Sequence, residues 1–271
     1  MAYNPIVFID SGVGGLPYLE TTKKLMPAEQ FVYVADTANF PYGEKTADEL
    51  TKIILLLISN IVTKIDPKLI VIACNTASVV ALSTLREKFG IPFVGVVPAI
   101  KPACRYSKNG KIGLIATRKT IEDPYTGELL LHFASNCNVE KFAAVDLVEF
   151  VEKKFFSSSN DEKMTVVSKA SKVFMNKDID SLVLGCTHFV HLKGCFEEYF
   201  GKSVHVIDSV EGVCSQISRI IKENSNNAAF NNVISGKDTV IDKFYITGSS
   251  VEKSEYLKFA AKFFLDWGGE I

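Results

Sequence analysis

The chain lacks a Cys-x-x-Cys pair. Its six cysteines stand apart at positions 74, 104, 137, 186, 195 and 214. That scatter supplies neither a zinc ligand set nor a disulfide framework, so reduced thiols in the cytoplasm are expected. Basic excess is also missing. Thirty Lys and Arg face 31 Asp and Glu, for a formal net charge of −1. Short pairs such as Lys23-Lys24 and Lys153-Lys154 read as solvated helix faces, so nucleic acid is not an expected partner. The longest apolar run, residues 53–62, is broken by Ser59 and Asn60. A membrane span needs about 20 apolar residues, so this run reads as a buried helix and no membrane partner is expected. No basic stretch precedes an apolar one near Met1, and no signal peptide is expected. No lysine stands at a strand end where a Schiff base to pyridoxal phosphate would form.

What remains is the make-up of an ordinary globular enzyme, 47% hydrophobic and 23% charged over 271 residues. That length suits one large or two small domains. Short apolar runs alternate with helical stretches. Strands are expected at residues 6–9, 31–35, 69–73 and 91–97, then at 111–116, 139–145, 181–184, 204–208 and 244–247. Helices are expected from Pro17 to Met26, after a Thr46–Glu49 capping box, and over residues 77–89. Further helices are expected over residues 120–133 despite Pro124, over 164–176, from about 209 to 224, and at the C-terminus, where Ser249 and Glu252 form a second capping box. Residues 157–161 read as a polar linker and residues 224–238 as a surface loop. Such alternation implies α/β architecture, with parallel sheets wrapped by helices.

Two segments recur. Ile6-Val-Phe-Ile-Asp-Ser11 resembles Ile112-Gly-Leu-Ile-Ala-Thr117, and the stretch ending Cys74-Asn-Thr76 resembles the one ending Cys186-Thr187. Offsets of 106 (6 to 112) and 112 (74 to 186) suggest two similar doubly wound halves around a central cleft. Ligands of parallel sheets sit beyond the carboxyl ends of the strands. Asp10-Ser11, Cys74-Asn75-Thr76, Thr117 and Cys186-Thr187-His188 all fall there. Two thiols facing one cleft from opposite sides are what inversion of a stereocentre requires. Each would precede a helix N-terminus, where the dipole favours thiolate. A single strand-end cysteine reads better as a small buried hydrophobe; two at matched positions do not. Cys104, Cys137, Cys195 and Cys214 keep that plain reading.

Asp10-Ser-Gly-Val-Gly-Gly15 is not a dinucleotide fingerprint, because Pro17 takes the place of the third glycine. Its backbone donors could hold a substrate carboxylate or merely close a tight turn. Asp10 could polarise an ammonium group, steer a thiol proton or cap a helix. His188 could relay a proton or stabilise a thiolate. Pro41-Tyr42-Gly43 could cover a small polar ligand or be a plain turn.

Taken together, Asp10-Ser-Gly-Val-Gly-Gly15, Asp36-x4-Pro41-Tyr-Gly43, Ala73-Cys-Asn-Thr-Ala-Ser78, Leu184-Gly-Cys-Thr-His-Phe189 and Phe244-Tyr-Ile-Thr-Gly248 resemble the glutamate racemase family, within the aspartate/glutamate racemase superfamily. The match covers nearly the whole chain in order. His188 looks like the glutamate branch, whereas aspartate racemases more often carry Glu there. Val190 stands where the family usually has Pro. The resemblance implies Cys74 and Cys186 as the acid/base pair, assisted by Asp10 and His188, with an additional carboxylate at Glu149; Glu152 lies close enough to compete for that role. It implies substrate contacts from Asp10, Ser11, Tyr42, Gly43, Asn75, Thr76 and Thr187. It also implies a first domain of residues 1–97 plus 209–271 and a second of 98–208. The implied activity is interconversion of L- and D-glutamate for peptidoglycan, with neither pyridoxal phosphate nor metal. A homodimer is one assembly this allows. The competing readings are an aspartate or hydantoin racemase of the same superfamily, and a two-lobed small-molecule binding protein.

Overall fold

The computed structural model of the chain describes residues 4–224, 241–248 and 253–271. The chain divides into two compact units, with boundaries at Val96/Val97 and Ser209/Val210. The first unit opens with β1 (Ile6–Asp10), α1 (Leu16–Leu25), β2 (Phe31–Ala35), α2 (Ala47–Ile65), β3 (Leu69–Ile72), α3 (Asn75–Lys88) and β4 (Phe93–Gly95). The second holds α4 (Ile100–Tyr106), β5 (Lys111–Ala116), α5 (Arg118–Glu122), α6 (Pro124–Phe133), β6 (Asn138–Ala143), α7 (Val145–Lys154), α8 (Asn160–Ser171), β7 (Ser181–Gly185), α9 (Thr187–Val190), α10 (Lys193–Phe200) and β8 (His205–Ile207). The chain then returns to the first unit with α11 (Val210–Glu223), β9 (Lys243–Ile246), α12 (Lys253–Lys262) and β10 (Asp266–Glu270).

Each unit is built on a parallel sheet. The strand orders are β10-β9-β2-β1-β3-β4 and β6-β5-β7-β8. Strands β1, β2 and β3 are buried along their whole length, as expected where helices cover both faces. Helix α2 explains the apolar run. It buries Leu50, Ile54, Leu57, Ile58 and Ile61, one stripe at helical spacing, against the sheet core that holds Val7, Ile9, Ile70 and Ile72. Thr46 caps it by accepting from the Glu49 N–H. Among the described residues no helix is long and apolar enough to cross a membrane.

The internal repeat is visible in the strand ladders. β1 pairs with β3 as Ile6↔Leu69, Val7↔Ile70, Phe8↔Val71 and Ile9↔Ile72. Adding 106 to the first number and 112 to the second gives Ile112↔Ser181, Gly113↔Leu182, Leu114↔Val183 and Ile115↔Leu184, which are the observed pairs of β5 with β7. The order β2-β1-β3-β4 is likewise repeated by β6-β5-β7-β8. Both units therefore repeat one doubly wound architecture.

Several boundaries differ from the sequence reading. The helix expected over residues 120–133 is two helices. Asp123 ends α5 and caps α6, donating nothing to the helix before it, and is held extended at φ −68°, ψ 134°. Pro124 has no N–H for the earlier helix and its ring disfavours a helical residue before it. The linker at 157–161 is a helix start: Ser159 and Glu162 form a reciprocal capping box for α8. Helix α3 begins at Asn75, two residues earlier than expected, which makes Cys74 its N-cap. Helices α4, α7 and α10 and strand β10 were not anticipated. The loop beyond Asn224 and the Ser249/Glu252 capping box lie outside the described residues.

Candidate active site

In the first unit, polar residues collect where β1, β2 and β3 end. Asp10 closes β1 and is fully buried. Its Oδ1 accepts from the Ser11 hydroxyl at 3.2 Å and the Gly12 N–H at 3.4 Å. Tyr33 clamps the glycine turn, donating its hydroxyl to the Gly12 carbonyl at 2.8 Å and accepting from the Gly15 N–H at 3.0 Å. Two of the turn's backbone donors are thus used inside the protein, which favours the tight-turn reading of this segment over a carboxylate cradle. Glycine is required at 15 for space: a Cβ there would lie 2.5 Å from the Ala73 Cβ. Asp10 does not cap α1, whose N-cap is Gly15 without a side-chain bond.

Asp36 follows β2 and is the centre of a buried network. Its carboxylate accepts from the Tyr42 hydroxyl at 2.6 Å, the Thr247 hydroxyl at 2.5 Å and the Asn39 amide at 3.0 and 3.1 Å. Thr247 also accepts from the Ala38 N–H at 3.1 Å. The loop carrying Pro41-Tyr42-Gly43 is thereby fastened to the end of β9. Burial, and next the charge of Asp36, push the Tyr42 phenol well above its usual value. Tyr42 keeps its proton and donates it to the Asp36 carboxylate, so the hydroxyl is not a donor held out to a ligand. Stability from this group is full below about pH 10 and declines as the unfolded phenol ionises above it. Tyr42→Phe should cost about 1–3 kcal/mol in urea unfolding, because the buried carboxylate loses a donor. Thr247→Ser, which keeps its hydroxyl, should cost less than Tyr42→Phe. Equal losses from the two would argue against the network.

Cys74 caps the 14-residue helix α3, and Asn75 and Thr76 form its first turn, all three buried. Ser78 fixes this turn by donating to the Ile72 carbonyl at 3.0 Å and accepting from the Val96 N–H at 2.9 Å. Neither polar atom of the Asn75 amide has a protein partner. A buried amide left unpaired costs about 1–3 kcal/mol. Such a group persists in a packed site when something other than the fold uses it.

In the second unit Cys186 is the N-cap of α9, again buried, with Thr187 and His188 beneath it. Helix α9 spans four residues, so its dipole is much smaller than that of α3. The local charge comes from side chains instead. His188 Nε2 meets Glu152 Oε2 at 2.9 Å, both side chains 3% exposed. Glu152 is on α7, whose inward stripe is Leu147, Val148, Val151 and Glu152. Glu149 lies off that stripe; its carboxylate is exposed and pairs with Lys153 at 2.7 Å. The carboxylate beside His188 is therefore Glu152 and not Glu149, and the stripe in the sequence was the available signal. Thr117, the strand-end hydroxyl of β5, accepts from the Thr120 N–H as the cap of α5.

The repeat sharpens the comparison of the halves. Cys186-Thr187-His188 matches Cys74-Asn75-Thr76, and Asp10 matches Ala116 by the same offsets. Each unit thus holds one cysteine at an equivalent strand end. The ionisable residues at these strand ends, Asp10 in one unit and the His188–Glu152 pair in the other, come from unrelated positions, and the Asp36–Tyr42–Thr247 network joins residues 211 apart. A search for repeats finds the thiols and misses these residues.

Residues 18–217 match the family model of Asp/Glu/hydantoin racemases. A glutamate racemase of Shewanella sp. (strain MR-4) is 39% identical over 241 residues, covering 89% of this chain and 88% of that protein. The crystal structure of Escherichia coli glutamate racemase in complex with L-glutamate and the activator UDP-MurNAc-ala has a TM-score of 0.84 at 30% identity, covering 99% of this chain and 98% of that one. Glutamate racemase from Francisella tularensis in complex with D-glutamate has a TM-score of 0.77 at 25% identity, covering 97% and 94%.

Proposed function

The chain belongs to the Asp/Glu/hydantoin racemase family, and from that premise we propose that it interconverts L- and D-glutamate, with Cys74 and Cys186 as the two acid/base groups. The observation that carries this reading is the register equivalence of the two cysteines at the ends of β3 and β7. Relatives bound to L-glutamate and to D-glutamate support the substrate.

Racemisation needs an α-proton removed from one face and another delivered to the opposite face. A thiolate is a suitable base and a thiol a suitable acid, and they exchange roles when the direction reverses. In this reading Cys186 abstracts from L-glutamate and Cys74 from D-glutamate. Asp10 assists the first thiol and His188, held by Glu152, the second. The unpaired Asn75 amide, with Ser11, Gly43, Thr76 and Thr187, binds the substrate's polar groups. Tyr42 acts by fixing its loop through Asp36. No cofactor is required in this reading, since the two thiols themselves take up and return the proton. All six cysteines are free thiols, which suits the reducing cytoplasm, where D-glutamate would be supplied to peptidoglycan synthesis.

The test is turnover of L-glutamate in heavy water by protein dialysed against chelator, followed by chiral chromatography and mass spectrometry. D-glutamate should form, and its first molecules should carry solvent deuterium at the α-carbon while remaining L-glutamate stays protiated. Absence of D-glutamate would overturn the activity. Deuterium entering L-glutamate as fast as product would replace two bases with one.

A further inference from the structure

In the first unit the turn that follows Asp10 is clamped by the Tyr33 hydroxyl. Tyr33, on β2, is fully buried, and its ring stacks on Phe244 of β9 with centroids 5.3 Å apart. Its hydroxyl donates to the Gly12 carbonyl at 2.8 Å and accepts from the Gly15 N–H at 3.0 Å. The Gly12 N–H in turn donates to Asp10 Oδ1 at 3.4 Å. A chain of hydrogen bonds therefore runs from Tyr33 through Gly12 to the Asp10 carboxylate. The far end of the turn bears on β3: a Cβ at Gly15 would lie 2.5 Å from the Ala73 Cβ, and Ala73 immediately precedes Cys74. The doubly wound architecture does not itself supply this clamp. Tyr33 pairs with Phe8, and the repeat equivalent of Phe8, Leu114, pairs with Lys141, which is exposed. The second sheet forms without a tyrosine at that position.

We propose that Tyr33 is a positioning residue for the first thiol, aiming the Asp10 carboxylate and holding its turn against the strand end that carries Cys74. This rests on the two-thiol reading, in which Asp10 assists Cys74. Proton transfer tolerates little error in placement, and a shift of about 1 Å can cost about 10²-fold in rate. Without the hydroxyl, the Gly12 carbonyl and the Gly15 N–H lose their shared partner, and the Gly12 N–H that fixes Asp10 is free to move. Phenylalanine at 33 keeps the ring and its stacking on Phe244, so the sheet core stays filled and the variant folds. Tyr33 touches no reacting atom in this role. Its effect passes through the turn and falls on one side of the mechanism.

The test is Tyr33→Phe. Its kcat/KM should fall by at least about tenfold, equally in the two directions, because the equilibrium is unchanged. The isotope effects should not change equally. In the proposed mechanism Cys74 removes the proton from D-glutamate, so α-deuterated D-glutamate should show an enlarged substrate effect. With α-deuterated L-glutamate, delivery from Cys74 becomes limiting, and the substrate effect should shrink as the solvent effect grows. Cys214→Ala, which loses the contact with Thr22 between α1 and α11, should keep wild-type isotope effects and so separates positioning from lost stability. A racemising wild type whose Tyr33→Phe variant keeps its kcat/KM overturns the proposal and leaves the two-thiol reading standing. So does a variant whose isotope effects change by the same size and sign with both enantiomers. A wild type that forms no D-glutamate removes both.

Discussion

Cys74→Ala and Cys186→Ala should each abolish racemisation of both enantiomers, with losses of at least about 10²–10⁴-fold, the usual contribution of one general acid or base. In the proposed mechanism both directions fail together, because every turnover would use one thiol as base and the other as acid. Neither side chain carries the fold. Each is a small, buried residue whose side chain makes no capping bond to its helix, so truncation should leave the circular dichroism spectrum and melting transition close to wild type. Cys214→Ala is the contrasting variant. That thiol lies 3.2 Å from the Thr22 hydroxyl between α1 and α11, and its removal should lower stability while the folded fraction keeps its rate. A Cys186→Ala protein that still racemised at a comparable rate would require a different second base.

The parts legible in the sequence are those set by local pattern. Residues 69–73 are continuously apolar and end in Cys-Asn-Thr, so the strand and its site followed from one another. The second copy, ending in Cys186, could be found by likeness to the first. Elements missed were those whose formation depends on distant partners. Strand β10 reads Asp-Trp-Gly-Gly-Glu, a poor strand former with two glycines, and exists because β9 lies beside it, with a shift in register between Trp267 and Gly269. Thr247 reached Asp36 only once β9 was placed next to β2. Pro124 was visible and its consequence underweighted, since the residues on either side have good helical pattern. Glu149 was preferred to Glu152 on a short resemblance, although the apolar spacing of α7 turns residue 152 inward and residue 149 out.

That last distinction leads to a second large effect. Glu152→Gln should lower turnover by about 10²-fold or more, whereas Glu149→Gln should remain near wild type. An ionised carboxylate only accepts, so Glu152 in that form selects the His188 tautomer that carries its proton on Nε2. The charge also stabilises an imidazolium formed when His188 takes up a proton. An amide at 152 can still hydrogen-bond the ring, which protects the buried packing, but it supplies no charge and permits either tautomer. If His188 serves Cys186, the damage falls on proton transfer at that thiol alone. The overall equilibrium cannot reveal this, because kcat/KM must fall equally in the two directions to preserve it. Isotope effects can. In the proposed mechanism Cys186 removes the proton from L-glutamate, so slowing it should enlarge the effect of α-deuterated L-glutamate. With α-deuterated D-glutamate the deuteron goes to Cys74, delivery from Cys186 becomes limiting, and the substrate effect should shrink as the solvent effect grows. Changes of equal size and sign with both enantiomers would remove His188 and Glu152 from one side of the mechanism and leave them a structural role.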